Sequence, residues 1–126
     1  MSRIVLLIAV GGAIGAVSRY LLTNYFTKIF PSLFPYGTFI INVSGCFLIG
    51  IFYALSERFS FSTEWQIFLT TGLCGGFTTF SAFAYENIKL LQTQQYFTFA
   101  AYSIASFVFG LIAVFAGIFL IKAFTS

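Results

Sequence analysis

Few side chains in this sequence can do chemistry, and those that can lie inside its most apolar runs. Asn42 falls in the middle of one run, and its amide carries two donor hydrogens and an acceptor oxygen. In a later run, Gly72-Leu73-Cys74-Gly75-Gly76-Phe77-Thr78-Thr79-Phe80-Ser81-Ala82-Phe83 crowds glycines, threonines and a serine together. Phe80 and Phe83 are spaced i, i+3 and share one helix face. The edge of an aromatic ring carries partial positive charge. Two such edges beside an amide donor suit a small anion that must also leave again, because conduction needs weak, multi-site binding where a full cation would hold too tightly. The plain alternatives are a helix–helix hydrogen bond for Asn42 and, in a chain with 19 phenylalanines, a core stripe for the pair.

Further along, Tyr102 and Ser106 stand at i, i+4 with Gly110 one turn on, a spacing that aligns two hydroxyls. Glu86 lies beyond the phenylalanines, where it could face a water-filled vestibule. Arg19 sits inside the end of another apolar run and could pair with an acid or shape an entrance.

Enzyme chemistry has little to work with. There is no histidine, and Glu57, Glu64 and Glu86 are the only acids. Paired carboxylates at catalytic spacing, a zinc-ligating Cys/His cluster, a phosphate loop and a dinucleotide fingerprint are all missing. Nucleic acid is not an expected partner either, because the net charge of +3 comes from scattered groups with no basic stripe.

The elements that position these residues follow from composition. The chain is 60% hydrophobic and 7% charged over 126 residues, against about 25% charged in soluble domains. Its natural solvent is lipid, since a soluble fold would expose apolar patches far beyond what monomers tolerate. A span needs about 20 apolar residues. Four are predicted, at about 4–22, 36–55, 65–91 and 96–121, in a single transmembrane domain occupying 1–126. Arg3 followed by Ile4 to Val17 has the outline of a signal peptide, but apolar character resumes beyond Arg19, which favours a span. Tyr20, Tyr25, Tyr36, Trp65 and Tyr96 fall near span ends, where amphipathic rings favour the interface. Cys46 and Cys74 lie within apolar runs and are read as small buried hydrophobes without a disulfide.

Orientation is balanced. Arg3, Arg58 and Lys122 fall on one side and Lys28 and Lys89 on the other, so the positive-inside bias is close to nil. Such a chain can insert both ways, and two copies can then pair antiparallel about a two-fold axis in the membrane plane. Gly11 and Gly15 form a G-x-x-x-G pair suited to close helix packing. The cluster around Gly75-Gly76 and Thr78-Thr79 predicts that the third span breaks. Glycines permit φ > 0, and broken helices at the midplane bind ions. A continuous helix, with its threonines bonded back one turn, is the alternative.

Gly72-Leu73-Cys74 and the run Gly75 to Phe83 resemble the signature of the Fluc (CrcB) family of bacterial fluoride channels. Pro35-Tyr36-Gly37-Thr38 followed by Asn42, and Ser18-Arg19-Tyr20, are similar to that family as well. The likeness covers essentially the whole chain. It implies an all-α integral membrane protein of four helices with the third broken at mid-membrane. It implies an antiparallel, dual-topology homodimer with two pores, passing fluoride passively out through the bacterial inner membrane. Asn42, Phe80 and Phe83 match the residues that line the fluoride path, with Thr38 in the matching stretch of the second span. Thr79 and Ser81 match the hydroxyl-bearing neighbours, and Tyr102 and Ser106 the polar track. The backbone carbonyls of Gly75 and Thr78 match the ligands of a central structural sodium that is not transported. Ala82 stands where many members carry a hydroxyl residue, and Gly110 where some carry serine. Two other readings stay open. One is a small dual-topology exporter of cationic drugs, which would need a deep acid that the first span lacks; the other is a structural membrane protein that transports nothing.

Overall fold

The computed structural model describes residues 2–125, and every regular element in it is helical. The elements are α1 (Ser2–Ile29), α2 (Tyr36–Phe59), α3 (Thr63–Ile67), a π-helical segment (Phe68–Cys74), α4 (Gly75–Phe77), α5 (Phe80–Gln92) and α6 (Tyr96–Thr125). Together they make four helical paths long and apolar enough to cross a membrane: Ser2–Ile29, Tyr36–Phe59, Thr63–Gln92 and Tyr96–Thr125. Each is longer than its apolar window, because a helix continues through polar interfacial residues until something stops it.

What stops each path is local. Pro31 follows α1 and cannot extend it. At the end of α2, Ser60 turns into the left-handed region at φ 52°, and the Phe61 N–H donates back to the Ser56 carbonyl at 3.1 Å. The Ser56 carbonyl thus accepts from both Ser60 and Phe61 N–H groups as the helix closes. Ser62 then caps α3 by accepting from the Trp65 N–H at 3.3 Å. The third path ends as the second does, with Gln94 at φ 61° and the Gln95 N–H on the Leu90 carbonyl at 2.8 Å.

Two helix pairs organise the bundle. The second and fourth paths pack backbone to backbone, and a Cβ at Gly117 would lie 2.9 Å from the Ile51 nitrogen. The first path packs on the third in the same manner. A Cβ at Gly15 would lie 2.8 Å from the Phe77 nitrogen, and one at Gly76 would lie 2.9 Å from the Gly12 Cα. Without a hydrophobic drive between helices in lipid, such close dispersion contact holds them together.

The third path departs from the expectation in detail. Gly75 has ordinary right-handed helical geometry (φ −62°, ψ −38°), and no glycine among the described residues has positive φ. The helical backbone is lost at Thr78 (φ −96°, ψ 156°) and Thr79 (φ −148°, ψ 122°), then resumes at Phe80. Gly72 and Gly76 supply close approach to α1, not unusual dihedrals. The π-helical segment just before them was not anticipated. Nothing in its composition, Phe68-Leu-Thr-Thr-Gly-Leu-Cys74, separates it from an α-helix.

Candidate functional site

Thr78 and Thr79 take extended conformations near the middle of the third path, so nearby peptide groups lose their partners one turn away. The Thr79 N–H, whose helical acceptor would be the Gly75 carbonyl, donates instead to Asn42 Oδ1 at 2.9 Å. Asn42 Nδ2 donates to the Thr79 carbonyl at 3.2 Å. One amide side chain on α2 thus clasps both backbone groups of a single residue. The Ala82 N–H, whose helical acceptor would be the Thr78 carbonyl, donates to Thr79 Oγ1 at 3.2 Å, which caps α5. Gly75 and Thr78 are therefore left with carbonyls deprived of their normal donors. The Thr78 hydroxyl turns back to the Cys74 carbonyl at 3.0 Å.

Beside the clasp lies a cavity of about 310 Å³ lined by Asn42, Thr78, Thr79, Phe80, Phe83 and, from α6, Ser106 among others. Phe80 and Phe83 stand 5.7 Å apart with their rings tilted at 42°. Phe80 is 79% exposed in the single chain. The Ser106 hydroxyl is buried with no hydrogen-bond partner among the described residues. Asn42 has spent one amide hydrogen on Thr79 and keeps the second. The cavity wall thus brings together an amide N–H, a free hydroxyl and two aromatic rings without a fixed charge.

A second cluster adjoins it through Phe83, whose ring lies 4.9 Å from that of Tyr102. Tyr102 is wholly buried, and its hydroxyl donates to Glu86 Oε1 at 2.9 Å. Thr38, also buried, donates to Glu86 Oε2 at 2.8 Å. Both carboxylate oxygens are thus met by hydroxyls from α2 and α6. Glu86 also borders a cavity of about 290 Å³, shared with Ser32, Leu33, Pro35 and Lys89 and reaching the loop between α1 and α2. A separate cavity of about 330 Å³ lies under the Arg3–Glu64 ion pair and Trp65 and contains none of these residues.

The whole sequence from residue 6 to residue 118 matches the family described as CrcB-like protein, Camphor Resistance (CrcB). The chain belongs to the CrcB family. It is 46% identical over 124 residues, 98% of each chain, to a fluoride-specific ion channel FluC from Leptospira interrogans. It is also 46% identical to the protein of the same name from Phocaeicola vulgatus, over 91% of this chain and 95% of the other. With the one from Rhizobium etli it shares 43% identity, over 94% and 95%.

In this CrcB chain most of the residues singled out from sequence fall into two places, with Ser81 and Arg19 apart from both. Asn42, Thr79, Phe80, Phe83 and Ser106 share the first cavity. Thr38, Glu86 and Tyr102 form the second cluster, so the Tyr102 hydroxyl serves Glu86 and does not continue a line to Ser106. Ser81 is exposed, its Oγ 3.1 Å from Thr79 Oγ1. Arg19 meets no acid among the described residues. Its Nε donates to the Gly76 carbonyl at 3.3 Å. Sequence reasoning passed over Ser103, which lines the first cavity; its i, i+3 spacing from Ser106 was the available signal. It also passed over Phe34, whose ring meets Tyr102 edge-on at 5.4 Å.

Proposed function

We propose that this chain is the subunit of a fluoride-selective channel that lets cytoplasmic fluoride leave passively across the inner membrane of a bacterium. The observation that carries the reading is the cavity at the Thr78–Thr79 break. There an amide hydrogen of Asn42, the Ser106 hydroxyl and the rings of Phe80 and Phe83 meet without a cation, in a chain whose CrcB relatives are named fluoride-specific ion channels. Ring edges and neutral donors attract a small, poorly polarisable anion and still release it. The driving force needs no coupling machinery. Hydrogen fluoride crosses lipid uncharged and ionises inside, and an inside-negative potential then favours exit by about 2.3 kcal/mol per unit charge for each 100 mV.

The working unit in this reading is an antiparallel homodimer with two pores and the third helix broken at mid-membrane. The exposed Phe80 and Gly75 support it, since they leave one side of the break uncovered by the chain itself. The carbonyls of Gly75 and Thr78 fit a structural sodium. Orphan carbonyls at membrane depth cost several kcal/mol unless satisfied. Two from each copy would offer four oxygens, whereas calcium takes six to eight, commonly with carboxylates. No metal-binding group of His, Cys, Asp or Glu occurs among the described residues.

Fluoride efflux from proteoliposomes, read with a fluoride electrode, tests the channel reading. Electrogenic fluoride release with chloride retained is expected. Equal leakage of the two anions overturns it.

A further inference from the structure

Arg19 lies on α1 opposite the middle of the third path, where a charged side chain is costly. We propose that it is a positioning residue, holding the break through one hydrogen bond from Nε to the Gly76 carbonyl and not through its charge. The proposal rests on the channel reading for its transport assay but not for its geometry.

Three observations carry it. The first is the bonding around the break. The Gly76 carbonyl would find its helical donor at Phe80, beyond the two extended residues, and Arg19 Nε takes that donor's place. Asn42 serves Thr79 and Thr79 caps α5, and Arg19 supplies a replacement donor on the α4 side, at Gly76.

The second is reach. Gly12 and Gly15 set α1 against the backbone of Gly76 and Phe77, so closely that a Cβ at either Gly15 or Gly76 would collide. Arg19 follows Gly15 by one turn, so this approach delivers its side chain to the break.

The third is the missing counter-charge. Among the described residues the one ion pair is Arg3–Glu64, at 2.7 Å. Glu86 is held by Thr38 and Tyr102. At 3.3 Å, moreover, the Arg19 bond is longer than the roughly 2.7–2.9 Å of charge-assisted contacts. The side chain is placed by geometry, as a donor of fixed direction.

Side-chain lengths separate the donor from the charge. The Arg19→Gln amide nitrogen falls where Nε stands, so it donates without charge. Arg19→Lys carries the charge but puts carbon at that place, and Arg19→Met is as long with neither donor nor charge. Each full-length variant is purified and measured for its thermal midpoint in detergent and for fluoride efflux from liposomes. Arg19→Gln is expected within about fivefold of the parent in efflux. Arg19→Met and Arg19→Lys should fall at least about tenfold, the scale of one lost hydrogen bond. The midpoints should follow the same order. Rescue by Arg19→Lys with loss in Arg19→Gln overturns the proposal in favour of charge. Loss in both, or in none of the three, overturns it too. If the parent itself passes no fluoride, the channel reading falls and the order of midpoints alone decides the clamp. If Arg19→Met fails to assemble while Arg19→Gln assembles and conducts, the clamp stands.

Discussion

The two polar clusters touch through the Phe83 and Tyr102 rings, yet they settle their hydrogen bonds in opposite ways. At the break, a side chain serves the backbone: the Asn42 amide takes the place of the helical acceptor of the Thr79 N–H and adds a donor to the Thr79 carbonyl. At Glu86, side chains serve a side chain, with Thr38 and Tyr102 donating to the two carboxylate oxygens and the helices around them intact. The first arrangement determines where the chain goes, and the second determines where a charge sits. Damage to the first should cost both assembly and transport, and damage to the second transport mainly.

Asn42→Leu should therefore show the largest effect. It leaves the Thr79 N–H without a partner, about 1–3 kcal/mol for an orphaned group, takes one of two donors from the Thr79 carbonyl, which as the N-cap of α5 keeps its intrahelical bond, and removes the amide hydrogen from the cavity. The expected outcome is a lowered thermal midpoint together with fluoride efflux near background. Asn42→Asp is the sharper probe. It can keep the acceptor for the Thr79 N–H, loses the donor to the Thr79 carbonyl and sets an oxygen beside any anion in the cavity. Efflux should fall as far while stability falls less. Full efflux in either variant would show that the clasp and the pathway are separate.

Phe80→Ile and Phe83→Ile come next. Isoleucine keeps much of the apolar bulk but has no positive ring edge, so each should slow fluoride by more than about tenfold, or about 1.4 kcal/mol, without dissociating the assembly. The two need not be equal. Phe80 is largely exposed in the single chain, whereas the Phe83 ring packs at a tilt against Tyr102. Phe83→Ile is expected to disturb the Glu86 cluster as well, and a double variant with Tyr102→Phe should then show less than additive loss.

Legibility from sequence followed the same division. Apolar run length and the flanking prolines and charges placed all four paths, because lipid leaves few other solutions for such a composition. Asn42, Thr79 and Ser106 of the first cavity were also legible, since polar groups inside apolar runs are rare enough to stand out, whereas Ser103 beside them was not. Bonding direction was not. Sequence spacing aligns Tyr102 with Ser106, yet Tyr102 turns to Glu86, a partner 16 residues away. The glycines of the third path suggested conformational freedom, yet Gly72 and Gly76 proved to be contact surfaces, a distinction that depends on what α1 places against them. Arg19 was read as a charge, and its neutral use as a donor to a carbonyl 57 residues away requires the packing to be known.

Tyr102→Phe tests the second cluster by itself and should have a smaller effect. The ring contacts with Phe34 and Phe83 survive, at 5.4 and 4.9 Å in the parent. Glu86 loses one of its two hydroxyl donors and keeps Thr38. The cost is one hydrogen bond to a charged acceptor, about 1.5–3 kcal/mol at most, reduced where water from the neighbouring cavity takes its place. Efflux should drop severalfold with the midpoint lowered less than in Asn42→Leu. A midpoint loss equal to that of Asn42→Leu would erase the contrast between the clusters.

The smallest expected effect is none at all. In the proposed dimer the carbonyls of Gly75 and Thr78 hold sodium because their helical donors were diverted, to Asn42 in one case and to the Thr79 hydroxyl in the other. Those diversions belong to the first arrangement, in which the backbone path is fixed. Releasing the ion would orphan the carbonyls again at membrane depth, so the cation should exchange slowly and stay behind while fluoride passes. Fluoride current across a bilayer should then reverse at the fluoride equilibrium potential whatever the sodium gradient. A tenfold sodium gradient imposed at fixed fluoride should leave the reversal potential unshifted. A shift would show that the ion travels with fluoride, which a site built from a fixed backbone path does not allow.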